Sequence, residues 1–160
     1  MTDVIQLIIN ALVFILPAYF ANAAPVVFGG GAPIDGGRKF FDGRHIFGPG
    51  KSIRGFIVGL IAGLLIGSLQ GRWMAGLLLA LGALFGDLLG SFIKRRLGAK
   101  RGESAPGLDQ LGFLALAILF VLPVQVPSLS IVIVLFLMTP MIHLGTNFIG
   151  YKLGFKDRPY

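Results

Sequence analysis

Apolar residues gather along this chain into long runs instead of recurring every second or every third to fourth position, the pattern of segments that face an apolar medium on all sides. The first run extends from Val4 to about Phe28 and is broken by Asn10, Pro17, Asn22 and Pro25. The second and third occupy 55–70 and 73–93, with only Gly71 and Arg72 between them, so they must fold back as an antiparallel hairpin. The fourth and fifth, 111–126 and 129–149, meet around Pro123, Gln125 and Pro127 and make another. Runs of about 20 apolar residues match the roughly 30 Å hydrocarbon layer of a bilayer, and the short second run needs its flanking residues to complete a crossing. Two polar loops, 29–54 and 94–109, separate these spans, and a charged tail, 151–160, follows them. The pattern predicts an all-α polytopic membrane protein: one transmembrane domain over 1–160 with five transmembrane helices.

Composition agrees. Hydrophobic residues make up 55% of the chain and charged residues 13%, too apolar for an ordinary soluble domain. Without cysteine, disulfide frameworks and thiolate metal sites are excluded. No basic residue precedes the first run, so it reads as a mature helix and not as a cleavable signal. The cations then fix an orientation. Arg38, Lys39, Arg44, Lys51 and Arg54 lie in the first loop, Lys94, Arg95, Arg96, Lys100 and Arg101 in the second, and Lys152, Lys156 and Arg158 in the tail; Arg72 alone falls on the other side. Cationic loops stay cytoplasmic, which puts the amino terminus outside, the carboxyl terminus inside and both loops on the cytoplasmic face of the cell membrane. A net charge of +7 calls for anionic partners. Its placement at a membrane face selects lipid headgroups and phosphorylated small molecules, with no nucleic acid expected.

Orientation alone requires no carboxylates, yet Asp35, Asp42, Asp87, Glu103 and Asp109 sit in or beside the cationic loops. Asp87 lies inside the third span, roughly 10 Å of helix rise before Lys94. Ionised groups at such depth face a bundle interior and mark function. Asp87, Ser91 and Arg95 follow at i, i+4 and i+8 and so share one helical face. A packing patch, with Gly86 and Gly90 allowing close approach and Asp87 paired to Arg95, is the structural alternative. In the first loop, glycines with Lys51 and Ser52 suit a phosphate-binding segment running into the amino terminus of the second helix, where free N–H groups favour an anion. A P-loop is excluded, since its first glycine would fall on His45 and no strand leads in. A small ion-coupled transporter or channel using Asp87 is the alternative function class, but its polar groups should lie deep in several helices. Gly55, Gly59, Gly63 and Gly67 at i, i+4 steps read as helix packing, and Asn22 and Asn147, near the inner ends of the first and fifth helices, as interhelical hydrogen-bonding residues, with contact to polar substrate groups as their alternative. His45 and His143 read as structural.

The segment Gly86-Asp87, Ser91, Lys94-Arg95, Gly98, Lys100, Pro106-Gly107 and Leu108-Asp109-Gln110 resembles a shortened carboxyl-terminal signature of CDP-diacylglycerol synthases, with Arg101 where that family has aspartate. Together with Asn22-Ala-Ala-Pro25, Pro33-Ile-Asp-Gly-Gly37, Asp42-Gly-Arg44 and Gly50-Lys-Ser-Ile-Arg-Gly55, it is similar to the archaeal CDP-archaeol synthases over nearly the whole chain. The resemblance implies an enzyme that transfers a cytidylyl group from CTP to the isoprenoid ether lipid 2,3-bis-O-geranylgeranylglycerol 1-phosphate, with Mg2+ as cofactor. On that reading Asp87 and Asp109 are the expected metal ligands, with Asp35 and Asp42 in reserve for a second ion. Asp87, Asp109 and Lys94 form the expected catalytic set. Lys51, Ser52, Arg54, Ser91, Arg95, Lys100, Arg38 and Arg44 are the expected nucleotide- and phosphate-binding residues. The lipid should enter sideways through a groove between helices.

Overall fold

A computed structural model describes residues 2–100, 103, 105 and 107–155; Arg101, Pro106, Lys156 and Arg158 lie outside them. Five helices account for the expected spans: α1 (Thr2–Phe28), α2 (Ile53–Leu69), α3 (Trp73–Arg96), α4 (Leu108–Val121) and α5 (Leu129–Lys152). Extended pairing among the described residues is confined to two isolated bridges, Pro33 with Ser52 and Lys39 with His45. α1, α3 and α5 are long and apolar enough to cross a membrane, whereas α2 and α4 are shorter.

Local chemistry shifts several helix ends from the apolar boundaries. α2 starts at Ile53 because Ser52 caps it, its Oγ accepting the Gly55 N–H at 3.0 Å. α3 runs on to Arg96, since Lys94, Arg95 and Arg96 favour the negative end of the helix dipole. α4 departs most, at Leu108–Val121 against an expected 111–126. Its start is set by Asp109 in the first turn and by Gln110, whose Oε1 accepts the Gly107 N–H. Its end is set by Pro123, which lacks the N–H that would continue the ladder.

Small residues bring the helices together, as close packing rather than hydrophobicity must do in lipid. The whole Gly55, Gly59, Gly63, Gly67 stripe of α2 is buried. A Cβ at Gly59 would stand 2.5 Å from the Ala21 carbonyl oxygen, and one at Gly67 2.5 Å from Gly76 Cα. α3 meets α4 in the same way, a Cβ at Gly86 falling 2.5 Å from Phe113 Cα. α1 continues through Pro17 and Pro25, each of which leaves a carbonyl one turn earlier without its helical donor. Gln70 Nε2 and Arg72 Nη2 supply the donors at Val13, at 2.9 and 2.7 Å. The lone cation of the far end is therefore a structural pin.

α3 is central, packed on α1, α2 and α4, while α5 packs against α1 and α4. The core runs through Ile15, Ala18, Leu79, Ala83, Leu114, Ala117 and Leu135. Among the described residues the α5 backbone does not approach that of α2 or α3 closely, and space remains between α5 and the Asp87 face of α3.

Candidate active site

The first loop is built around Asp35. Its Oδ1 accepts the Gly37 N–H and its Oδ2 those of Phe47 and Gly48, all at 2.9 Å. Burial pushes this carboxyl up, but the N–H groups of Gly48, Phe47 and Gly37, helped by His45, outweigh it and hold it below the usual carboxylate range. Gly48 takes a φ of +92°, a turn that a side chain would strain. The loop is then pinned to the end of α3. Arg44 Nη1 donates to the carbonyls of Arg95 and Arg96 at 3.2 and 2.6 Å, and Arg96 Nη2 donates to that of His45 at 2.5 Å. Arg96 Nε also stands 3.1 Å from Asp42 Oδ2, an ion pair without hydrogen-bond alignment.

This scaffold delivers Lys51 to Asp87, Nζ to Oδ2 at 2.5 Å. Two turns further along α3, Lys94 Nζ lies 2.6 Å from Asp109 Oδ1 at the start of α4, and Asp109 Oδ2 accepts the Ala105 N–H at 2.8 Å. The partner of Asp87 is thus Lys51 from the loop and not Arg95 from its own helix. Arg95 Nη2 donates to the Lys100 carbonyl at 3.2 Å, while its buried Nε has no hydrogen-bond partner among the described residues.

Both ion pairs face a cavity of about 1090 Å³ between α5 and the other helices. Lys51, Ser52, Asp87, Ser91, Lys94, Arg95 and Asp109, all singled out from the sequence, line it. Arg38, Arg54 and Lys100 are exposed and do not line it; Asp35, Asp42 and Arg44 instead build the loop and its seat on α3. The expected anion site at the start of α2 is mostly closed on itself. Ile53, Gly55 and Phe56 give their N–H groups to the Ala32 carbonyl, Ser52 Oγ and the Ser52 carbonyl. Side-chain cations therefore dominate the charge offered to an anion.

α5 contributes a wall of Thr139, His143, Thr146 and Asn147, of which the sequence singled out only Asn147 as an alternative substrate contact. Asn147 Nδ2 lies 3.2 Å from His143 Nδ1, and Thr139 Oγ1 is 2.7 Å from the Tyr19 hydroxyl. Four polar positions spaced to share a face of an otherwise apolar span were the available signal. Asn22 of α1 lines the cavity as well. Apolar residues of α1 and α5 that are exposed on the outer surface, among them Phe20, Val27, Ile149 and Leu153, complete the lining.

Among the described residues no three His, Asp or Glu side chains converge as a metal cage. Magnesium commonly takes one or two carboxylates and fills its remaining positions with water and substrate phosphates. Asp87 and Asp109 offer such hard oxygen donors on the cavity wall, with side chains 34% and 20% exposed, and they fit that use. Asp35 does not, because both its oxygens are committed to backbone N–H groups.

Comparison with known proteins gives a consistent answer. A family model described as CarS-like, CDP-archaeol synthase, matches residues 4–160. A CDP-archaeol synthase from Methanococcus aeolicus is 52% identical over 174 aligned positions, covering 97% of this chain and 98% of its own. Another, from Thermococcus gammatolerans, is 50% identical over 162 positions, covering 94% and 95%. A solved structure, described as an intramembrane enzyme for archaeal membrane lipids biosynthesis, aligns with a TM-score of 0.79 at 38% identity, over 88% of this chain and 94% of that one. Similarity at this level, extending from the first helix to the tail, bears out the resemblance read from the motifs: the chain belongs to the CDP-archaeol synthase family.

Proposed function

We propose that this protein is a CTP-dependent cytidylyltransferase of archaeal lipid biosynthesis, acting on 2,3-bis-O-geranylgeranylglycerol 1-phosphate with magnesium and releasing diphosphate. The observation that carries the reading is the pairing of Lys51 with Asp87 and of Lys94 with Asp109 on one cavity whose lining also includes apolar residues of α1 and α5 that reach the outer surface. A water-soluble triphosphate and a membrane-bound acceptor need such a space, charged at one side and greasy at the other.

In the proposed reaction an oxygen of the lipid phosphate forms a bond to the α-phosphorus of CTP, and the bond from that phosphorus to the β-phosphate bridging oxygen breaks. The nucleophile is already an anion, so no side chain has to remove a proton; the protein must align the reactants and offset charge. Lys51, Lys94 and Arg95 neutralise the phosphates and the departing diphosphate, and Ser52 and Ser91 offer hydroxyl donors beside them. Asp87 and Asp109 would hold magnesium, which when bound supplies charge neutralisation and a template for the CTP phosphates. The α5 wall of Thr139, His143 and Asn147 closes the cavity opposite these groups.

In this reading all five helices cross the cell membrane, with the amino terminus outside and the carboxyl terminus in the cytoplasm. The gathering of Lys51, Lys94, Arg95 and Arg96 at one end of the bundle supports it. CTP enters from the cytoplasm. The lipid arrives sideways between α1 and α5, where the cavity lining includes exposed apolar residues.

The test follows the label. Purified protein in vesicles receives the lipid phosphate, magnesium and CTP labelled at the α-phosphorus. The label should move into a CDP-lipid with one diphosphate released per molecule formed. Label retained in soluble nucleotide, or transfer to lipid from CTP labelled at the γ-phosphorus instead, would overturn the proposal.

A further inference from the structure

The tip of the loop between α1 and α2 carries apolar surface that the cavity does not use. Phe41 is 99% exposed, and its ring centroid lies 4.9 Å from that of Phe40. Phe40 is held in place: it packs edge-on to Phe92 of α3 at 5.3 Å, and the Arg96 guanidinium carbon sits 4.8 Å from the centroids of both rings. The depth of this cluster follows from α3. From Trp73 to Phe92 the helix rises about 28 Å, close to the roughly 30 Å thickness of the hydrocarbon layer. Trp73 is 54% exposed and is the residue type that settles at a membrane–water boundary. Phe92 therefore reaches the opposite boundary, with Phe40 and Phe41 at its level. Leu97, 76% exposed at the end of α3, extends the apolar surface there.

Charge around the tip completes the pattern. Arg38, Lys39 and Arg44 are exposed, and the one carboxylate between Gly36 and Ile46, Asp42, is paired with Arg96. Exposed aromatic rings at boundary depth, ringed by cations, suit a headgroup layer: the rings sit among the headgroups and the cations meet lipid phosphates. We propose that the Phe41 tip is an interfacial anchor, inserted into the headgroup layer of the protein's own membrane with Arg38 and Lys39 on anionic lipid phosphates. The bridge between Lys39 and His45, and the hold of Arg44 on the end of α3, connect this anchor to the loop that delivers Lys51. The inference does not depend on the proposed reaction.

The chain has no cysteine, so Phe41→Cys takes a nitroxide label without background, and because Phe41 is exposed and touches only the Phe40 ring among the aromatic contacts of the described residues, the label leaves Phe40 seated on Phe92 and Arg96. In vesicles containing phosphatidylglycerol, at high lipid-to-protein ratio, the label should be reached several-fold more readily by oxygen than by a water-soluble nickel chelate. Adding Arg38→Gln and Lys39→Gln should raise access of the chelate several-fold. Chelate access equal to that of the same labelled chain in denaturant would overturn the proposal. Unchanged access in the charge variant, or spin–spin broadening from a second copy seated on the tip, would also overturn it.

Discussion

Replacing Arg72 by methionine keeps the apolar stem of the side chain and removes its fork of donors. That fork joins three parts of the bundle. Nε donates to Gln70 Oε1 at 2.9 Å, Nη1 to Gln125 Oε1 at 2.8 Å beside the α4–α5 link, and Nη2 to the carbonyls of Val13 and Phe14 at 2.7 and 2.8 Å. The guanidinium also lies 5.5 Å from the centroid of the Phe14 ring. Hydrogen bonds within membrane bundles are worth about 0.6 kcal/mol each, and in general roughly 1 kcal/mol. Loss of the fork should therefore cost about 2.5–4 kcal/mol. At about 2–4 °C per kcal/mol for a chain of this size, the melting temperature in matched detergent scans should fall by roughly 5–15 °C. Arg72→Lys keeps the charge but not the fork and should lose most of the same stability. Turnover per folded molecule should hold below the transition, because Arg72 does not line the cavity. A methionine variant melting with the wild type would refute the pinning role.

Other expectations follow from particular residues. Asp35 has a folded pKa below its unfolded one, so its contribution is fully present above about pH 4 and is lost as the pH falls through the folded value. Hydrogen exchange at Phe47 and Gly48 should accelerate over that acid window in the wild type, and already be fast at neutral pH in Asp35→Ala. Gly67→Ala places a methyl 2.5 Å from Gly76 Cα and must push α2 off α3. It should destabilise the bundle by about 1–3 kcal/mol, read as a lower melting temperature, whereas Gly145→Ala, which meets nothing within 4 Å, should not.

How much of this was legible in the sequence depends on the range of the interaction. The apolar runs located all five helices, because burial in lipid is written in continuous composition. The glycine stripe of α2 announced close packing through its spacing alone. Helix ends were less accessible, and α4 shows why: the apolar run continues to Val126, but Pro123 stops the helix and Gln110 fixes its start. Of the site, Asp87 stood out because a carboxylate inside an apolar run is too costly to keep without a partner or a task. Its partner did not, since Lys51 arrives from 36 residues away on a loop whose course depends on Asp35 and Arg44. The same dependence seats Asp42, expected as a reserve metal ligand, and Arg44, expected at a substrate phosphate, as braces on the end of α3. Thr139, His143 and Thr146 gave no comparable signal, because they look like ordinary interhelical polar residues until the fold sets them, with Asn147, on the cavity wall.

In the proposed reaction Asp87 and Asp109, on one cavity wall, serve transfer of the cytidylyl group from CTP to lipid. The most direct test is the α-label transfer rate of Asp87→Asn and Asp109→Asn, each shown by its melting temperature to be folded. Each rate should fall by about 100-fold or more, with label still appearing in the lipid for the wild type. Rates within a few-fold of wild type for both variants would contradict the account.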